Sequence, residues 1–510
     1  MNSILFLSDV ILDPVIKEIK QLSADLFHID NYYEEDIISR LLSIRAIDLD
    51  RYDVIFLHSD QLYHQKEQAW QKSYCNAVLG LSKQVTKNII VSNAFSASYN
   101  AAPIKFSFGR YFDTLTAYND CFKELTAQAN VFLFDFIGVC MNVGLNTFYN
   151  YNLGHLYQMP YNKLGIKAIA AEFVSQVKFL STEEKKVIVL DCDNTLWKGI
   201  VGEDGIDGIE CDKNAEGILH YNLQLFLKSK KEEGFLLCLC SKNNEEDVKE
   251  AFEKKNFPLK WKDFVVKKIN WDDKVSNLIE ISKELNVGVD SFIFIDDNLF
   301  ELNSINELLK GVSCIHLSAD YNNFVTFTQS FLFRKKQILK EDIEKTSQYE
   351  LEKLRKETER EFASLDDFIE SLNINLEIRL NDVADFPRLS QMTGKTNQFN
   401  FNKHPYNEEE LRSFIENGRI YSLKVSDKYG DYGTVGLIMV ELDNQAAIVE
   451  NYLMSCRALG KKIEYKFYDN VVESLLSEGI LLKEIRFKSN DKNIPAQTFL
   501  KSIEYGSKAQ

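Results

Sequence analysis

The chain has 510 residues, enough for about three domains, and its 76 acidic against 60 basic residues give a net charge of −16. That balance, without a dense basic patch, argues against a nucleic-acid partner, whose binding rests on neutralising phosphates. No run approaches the roughly 20 apolar residues of a membrane span, residues 4–7 lack the basic leader of a signal peptide, and nine cysteines without paired spacing point to a reducing cytoplasm.

In the first third, apolar runs at 4–7, 54–57, 89–91 and 131–134 predict buried strands. Helical stretches such as 15–22 and 67–81 separate them, a doubly wound α/β pattern. Polar residues follow each strand: Ser8-Asp9, His58-Ser59-Asp60, Ser92-Asn93 and Asp135. Residues 151–185 read as a connector ending in a helix over 168–179.

Residues 187–197 then read Val-Ile-Val-Leu-Asp-Cys-Asp-Asn-Thr-Leu-Trp. The apolar run predicts a buried parallel strand. Asp191 and Asp193, two apart at its end, share one face of an extended chain. Nothing hydrophobic requires them there, and their mutual repulsion favours a divalent cation. Cys192 between them points to the other face. A second apolar run, 235–240, ends in Ser241, and a third, 292–295, ends in Asp296-Asp297. Between them Trp271-Asp-Asp-Lys274 opens an amphipathic helix carrying Leu278, Ile279, Ile281 and Leu285. Strands with polar residues at their carboxyl ends describe a doubly wound sheet, whose sites lie along that edge. Lys267 and Lys268 offer alternatives to Lys274, although a Val-Val-Lys-Lys-Ile stretch reads more simply as a strand edge with surface charges. Each gap between these motifs fits about one helix–strand unit, so no large cap covers the site.

Residues 321–370 read as helices, with an almost wholly polar stretch over 340–361 suited to bridging domains. The last part differs. Strands are expected at 375–379, 419–425, 433–441 and 446–454, with Asp443-Asn444 as a hairpin signal. Arg457-Ala-Leu-Gly-Lys-Lys462 then opens an amphipathic helix through Leu476. Glycine there lets backbone N–H groups approach a phosphate at the positive end of a helix. Cys456, beside Arg457 at that end, is either a thiol of lowered pKa or a small buried residue.

The order Asp-x-Asp, Ser, Lys, Asp-Asp closely resembles the four motifs of the haloacid dehalogenase (HAD) superfamily. The resemblance implies Asp191 as nucleophile, Asp193 as general acid/base, and Thr195, Ser241 and Lys274 on the phosphoryl group. It implies Mg²⁺ held by Asp191, Asp296 and Asp297, with the Asp193 carbonyl joining. The wider text Leu190-Asp-Cys-Asp-Asn-Thr-Leu-Trp-Lys-Gly-Ile-Val-Gly-Glu-Asp-Gly205 resembles the FkbH-like family, HAD subfamily IIIC proteins that load three-carbon glyceryl units onto acyl carrier proteins. Lys198 replaces a family glycine and Leu299 a family proline. Residues 341–349, Lys395-Thr-Asn-Gln-Phe-Asn400 and Met454-Ser-Cys-Arg-Ala-Leu-Gly460 resemble further family signatures.

The expected fold is therefore α/β multidomain. A degenerate SGNH-hydrolase-like (flavodoxin-like) α/β domain spans 1–165, and a HAD-like doubly wound parallel sheet 166–325. A helical linker spans 326–371, and an α+β domain resembling GNAT acyltransferases 372–510. In the first domain the Gly-Asp-Ser and Asp-x-x-His motifs are absent: Leu7-Ser-Asp-Val10 stands in place of the first, and His155 could replace the second, although a lone His in a Tyr-rich loop reads more simply as structural. Its strand ends show no recognisable nucleophile–base pair, so efficient hydrolysis is not expected and Ser8→Ala should leave any esterase activity unchanged. In the last, Arg457, Gly460 and Lys461 are expected to bind a pantetheine or coenzyme A phosphate, and Cys456 to accept an acyl group. The implied activity is Mg²⁺-dependent dephosphorylation of a phosphorylated three-carbon donor, 1,3-bisphosphoglycerate by analogy, with the acyl group ending on the phosphopantetheine arm of an acyl carrier protein. A local basic surface for the carrier is sought at 334–336 and 353–360. Two other readings are a stand-alone phosphatase and an N-acyltransferase acting on a sugar amine.

Overall fold

The computed structural model describes residues 2–60, 68–93, 120–128, 130–214, 216–318, 320–336, 338, 349, 351, 354–355, 358–359, 361–362, 364–443 and 445–506. The chain divides into two units, Met1–Thr182 and Glu183–Gln510. No helix among the described residues is long and apolar enough to cross a membrane.

The first unit is built on five parallel strands: β1 (Asn2–Ser8), β2 (Phe27–Tyr33), β3 (Val54–His58), β4 (Asn88–Ser92) and β5 (Val131–Phe134), in the order β2-β1-β3-β4-β5. This is the flavodoxin-like doubly wound order. Side chains alternate between two cores. Ile4, Phe6, Val54 and Phe56 pack with Val15, Ile19, Phe173 and Val177 of helices Asp13–Leu22 and Lys163–Ser181. Leu5, Leu7, Ile55 and Leu57 pack on the opposite face with Tyr74 and Val78 of helix Gln68–Ser82. Burial of both faces explains why these strands read as continuous apolar runs. β2 has no such run, because Phe-His-Ile-Asp-Asn-Tyr-Tyr forms an edge strand that is largely half-buried or exposed. The expectation of unpaired cysteines is corrected here: Cys75 and Cys121 form a disulfide, with Cα atoms 6.3 Å apart.

In the second unit, β6 (Val187–Leu190), β7 (Leu236–Ser241), β8 (Phe264–Ile269), β9 (Phe292–Asp296) and β10 (Ser313–His316) make a parallel sheet ordered β10-β9-β6-β7-β8. Ile188, Leu190, Leu237 and Leu239 enter one core, and Val187, Val189, Cys238 and Cys240 the other. The chain leaves β6 toward β7 on one side and is joined by β9 on the other. That reversal opens a crevice at the carboxyl end of β6, where doubly wound proteins place their sites.

A third sheet comprises β11 (Asn375–Leu380), β12 (Gly418–Asp427), β13 (Gly430–Asp443), β14 (Ala446–Met454) and β15 (Leu481–Ile485) in sequential order. The first four are antiparallel neighbours, and β15 runs parallel to β14. Helices Phe386–Lys395 and Glu408–Phe414 cover one face, and Ile463–Ser477 and Ile494–Gly506 the other. β13 and β14 are paired up to Asp443 and Ala446, while Asn444 of the hairpin signal lies outside the described residues. β15 pairs with β14 only from Ala446 to Val449. Beyond it the β14 edge is taken by an incoming segment: Phe401 N donates to Tyr452 O at 3.0 Å, and Met454 N to Phe399 O at 3.0 Å. Most of the polar stretch 340–361 lies outside the described residues, as does half of 353–360.

Candidate functional site

Strand register brings the central carboxylates together. Leu190 of β6 pairs with Ile295 of β9, so the next residues, Asp191 and Asp296, stand side by side. On the other flank Leu190 pairs with Leu239 of β7, which puts Ser241 one level further out. Lys274 is the first residue of helix Lys274–Leu285, started by Asp273, whose side chain accepts from Ser276 N. Its Nζ reaches Asp191 Oδ1 at 2.9 Å and Asp296 Oδ2 at 2.6 Å. All three groups are buried.

Asp191, Asp296 and Asp297 each direct a carboxylate oxygen into one cluster, all within 4.8 Å of one another. Burial and then the neighbouring Asp191 push Asp296 up to about 7, against the opposing pull of Lys274, and raise Asp297 as well. Burial opposes the charge on Lys274, but Asp191 and Asp296 outweigh it and raise its pKa above the usual lysine value. The ammonium offsets only part of the repulsion among the three carboxylates, and an all-oxygen set with surplus negative charge fits a hard cation such as Mg²⁺.

Asp193 is held by a different set of groups. Its Oδ1 accepts from Trp197 Nε1 at 2.9 Å and Val201 N at 3.0 Å, and its Oδ2 from Asn243 Nδ2 at 2.8 Å. Burial raises its pKa, and the three donors oppose that rise. A carboxyl lifted toward the working range and steered by fixed donors is suited to passing a proton. Thr195 Oγ1 is buried and makes no hydrogen bond among the described residues. Its carbonyl oxygen is 2.8 Å from His220 Nδ1.

Three supporting residues escape a sequence reading. Asn243 lies two positions past Ser241, Trp197 closes the motif loop, and His220 sits on helix Ile218–Glu232. Of these only Asn243 carried a signal, an amide just beyond a strand end. Lys267 and Lys268 lie outside the cluster. Lys267 Nζ donates to Phe264 O and lies 5.0 Å from the Trp261 ring centroid, while Lys268 pairs with Glu280 and Glu284. Cys192 is packed in the core, its thiol pushed well above the usual range by burial. Of the basic residues at 334–336, Lys335 is turned onto the protein, donating to Lys185 O at 2.6 Å.

The loop after β14 departs from expectation. Cys456–Ala458 is a single 3-10 turn, Gly460 and Lys462 take φ of +79° and +57°, and the helix begins only at Ile463. Arg457 and Cys456 therefore do not sit on the first turn of that helix, which removes the dipole argument for an activated thiol. The Cys456 side chain lies outside the described residues. Gly460 has open space at its Cα, whereas Lys461 is buried, donating to Arg457 O at 3.0 Å.

At the strand ends of the first unit, Ser8 is buried and its Oγ accepts from Val10 N, and His155 is exposed on helix Tyr151–Tyr157. A hydroxyl–imidazole pair does exist there, between Ser92 and His58, 2.8 Å apart. That corrects the expectation that the strand ends lack one.

No family model matches the chain, and no curated protein matches it. Among solved structures, the amino-terminal part of a Bacteroides fragilis protein, containing a phosphatase domain and complexed with Mg, covers 66% of this chain and 94% of its own, at 23% identity and a TM-score of 0.51. A HAD-family enzyme of Bacteroides thetaiotaomicron, complexed with magnesium and inorganic phosphate, covers 28% of this chain and 98% of its own, at 16% identity and a TM-score of 0.21. The ribosomal-protein-S18-alanine N-acetyltransferase of Escherichia coli covers 25% and 76%, at 11% identity and a TM-score of 0.21. The likeness to the first is one of fold.

Proposed function

We propose that this protein is a Mg²⁺-dependent phosphatase of the HAD type, working through a phosphoaspartate, and that it couples phosphate removal to acyl transfer. The observation that carries the reading is the cluster of Asp191, Asp296 and Asp297 around Lys274 at the carboxyl ends of β6 and β9. Phosphoryl transfer is mainly positioning and charge neutralisation, and this cluster is built for both.

In this reading Asp191 attacks phosphorus and takes the phosphoryl group as an acyl phosphate. Asp193 protonates the leaving oxygen and later takes a proton from water, kept in place by Trp197, Val201 and Asn243. Ser241, Lys274 and Thr195, whose hydroxyl is buried and unspent, hold the transferring oxygens. Asp191, Asp296 and Asp297 would hold Mg²⁺, which when bound neutralises charge on the phosphoryl oxygens. The first domain runs to Thr182 rather than to 165, because helix Lys163–Ser181 packs with β1 and β3; the HAD-like domain then runs 183–325, the linker 326–371 and a GNAT-like domain 372–510. Its mixed sheet with β15 parallel to β14, and the open Gly460 in the loop after β14, support binding of a pantetheine phosphate near Arg457 and Gly460. The donor is a phosphorylated three-carbon acyl compound, 1,3-bisphosphoglycerate by family analogy: Asp191 takes its ester phosphoryl group, while a thiol, that of Cys456 or directly that of the pantetheine arm, attacks the carbon of its acyl phosphate and inorganic phosphate leaves, so that the acyl group ends as a thioester on an acyl carrier protein.

A stand-alone phosphatase is the second reading. Two observations favour it: residues 399–401 cover the β14 edge beyond Val449, and Lys461 is turned inward. One experiment separates the two. Enzyme, donor and carrier are incubated with Mg²⁺, and phosphate release is followed beside the intact mass of the carrier. Phosphate release with an acylated carrier supports the coupled reading. Release without a carrier adduct leaves the stand-alone reading, and no Mg²⁺-dependent release from any phosphoester rejects both.

A further inference from the structure

Helix Ile218–Glu232 turns Leu219, Leu223 and Leu227 into the core that also holds Leu196 and Trp197 of the nucleophile loop. It buries two polar residues as well, His220 and Gln224, which stand one turn apart and so share a face. An imidazole and an amide in that place cost free energy unless their hydrogen bonds are made. On the strength of the phosphatase reading, we infer that His220 and Gln224 are positioning residues, which clamp the loop 193–197 so that Asp193 meets the leaving oxygen of the substrate. Neither belongs to the motifs from which that reading starts.

The loop turns tightly after the nucleophile, with Thr195 N and Leu196 N both donating to Cys192 O, at 3.2 and 2.8 Å. Buried carbonyls need donors of their own, and the carbonyls of Thr195 and Leu196 find them on the helix. His220 Nδ1 lies 2.8 Å from Thr195 O, and Gln224 Nε2 donates to Leu196 O at 2.8 Å. A carbonyl oxygen only accepts, so Nδ1 carries the hydrogen. Gln224 Oε1 accepts in turn from Leu259 N at 3.1 Å, so both ends of the amide are engaged.

Two lines therefore run from the helix to Asp193. One is the loop backbone itself. The other passes through Leu259 to Phe257, which stacks on Trp197 with 5.6 Å between ring centroids and 14° between planes. Trp197 Nε1 donates to Asp193 Oδ1 at 2.9 Å. In the reaction an Asp191 oxygen forms its bond to phosphorus while the bond from phosphorus to the leaving oxygen breaks, and the proton of Asp193 goes to that oxygen. A general acid gives about 10²–10⁴-fold only when it is within hydrogen-bond reach of the atom it protonates. Releasing the clamp frees two loop carbonyls and the Trp197 ring, so the first quantity to suffer is the alignment of Asp193.

The test uses the full chain in Mg²⁺ and compares kcat/KM for phosphate release from two esters. The alkoxide of 3-phosphoglycerate needs a proton as it leaves, and the phenolate of p-nitrophenyl phosphate does not. His220→Phe keeps a ring and removes the donor, and Gln224→Met keeps the length and removes both hydrogen bonds. Each is expected to lose about 10- to 10²-fold more on 3-phosphoglycerate than on p-nitrophenyl phosphate, since a misplacement of about 1 Å costs up to about 10²-fold. His220→Asn carries an amide N–H at the place of Nδ1 and should recover most of that difference. Melting curves show which variants are folded, and if one of His220→Phe and Gln224→Met is not, the other carries the test. Equal losses on the two esters, as a merely structural role would give, overturn the inference. A wild type that acts on p-nitrophenyl phosphate alone has no acid assistance to lose; this too overturns the inference but leaves the phosphatase reading standing. A wild type that releases phosphate from neither ester overturns both.

Discussion

Replacing Lys274 by Met keeps the length of the side chain and removes its charge. Its Nζ sits 2.9 and 2.6 Å from two carboxylates whose side chains are 8% and 0% exposed. Breaking a buried ion pair from one side costs about 3–5 kcal/mol, because the partner is left uncompensated. In domains of 150–250 residues each kcal/mol moves the melting temperature by about 2–4 °C. Lys274→Met is therefore expected to melt roughly 6–20 °C below wild type in chelator. A cation in the carboxylate cluster replaces the lost charge. At 100 times its dissociation constant it returns about 2.7 kcal/mol, so Mg²⁺ should raise the variant by at least as much as it raises wild type. Differential scanning calorimetry in EDTA and in Mg²⁺ reads both effects. A variant that melts with wild type in EDTA, or that Mg²⁺ leaves unchanged, refutes the ion-pair and cation reasoning together.

Asn243→Ala removes one of three donors to Asp193 and should lower kcat for phosphate release by about 10- to 150-fold, on the scale of one charge-assisted hydrogen bond, about 1.5–3 kcal/mol; an unchanged kcat removes Asn243 from the site. Arg355 makes a two-pronged ion pair with buried Asp427, at 2.7 and 2.9 Å. Burial opposes the charge on Asp427, but Arg355 and Tyr432 outweigh it and hold its pKa below the usual carboxylate value. A depressed folded pKa means that the stability this group adds is complete above the unfolded pKa of about 4 and is lost as pH falls through the folded value. Asp427→Asn should thus cost about 3–5 kcal/mol in urea titrations at neutral pH, with the gap to wild type narrowing in acid; a gap independent of pH removes the linkage. Cys456→Ser should still release phosphate, and Gly460→Asp should block carrier loading by placing a carboxylate where a phosphate approaches. If Cys456→Ser loads the carrier as fast as wild type, acyl transfer does not pass through that thiol.

Much of this was legible because the physics is local. The strands β1, β3, β4, β6, β7 and β9 are buried on both faces, so their apolar runs stand out. Asp191, Asp193, Ser241, Lys274 and Asp296 stand at the ends of such runs or open the next helix, where a carboxylate or ammonium has no packing reason to be. The edge strands β2 and β10 were not legible, since half-exposed strands such as Ser-Cys-Ile-His carry no such run. Residues 395–400 resemble a family signature, and the pairing of 399–401 with β14 follows only from where β15 stops. Arg457 seemed to open a helix because the pattern after it is amphipathic; the positive φ of Gly460 and Lys462 postpones the start to Ile463. Asn243 and Trp197 act through loops that fold back onto Asp193. Ser92 and His58 are 34 residues apart on separate strands, in no motif, and only the parallel register brings them together.

Phosphate release by Asp191→Asn tests the central claim most directly. The variant keeps the shape of the side chain and its contact with Lys274 but removes the nucleophile. Wild type is expected to release phosphate in Mg²⁺ and not in EDTA, and Asp191→Asn to fall on the order of 10³-fold or more. Release by Asp191→Asn at near the wild-type rate would contradict the assignment of phosphoryl transfer to this site.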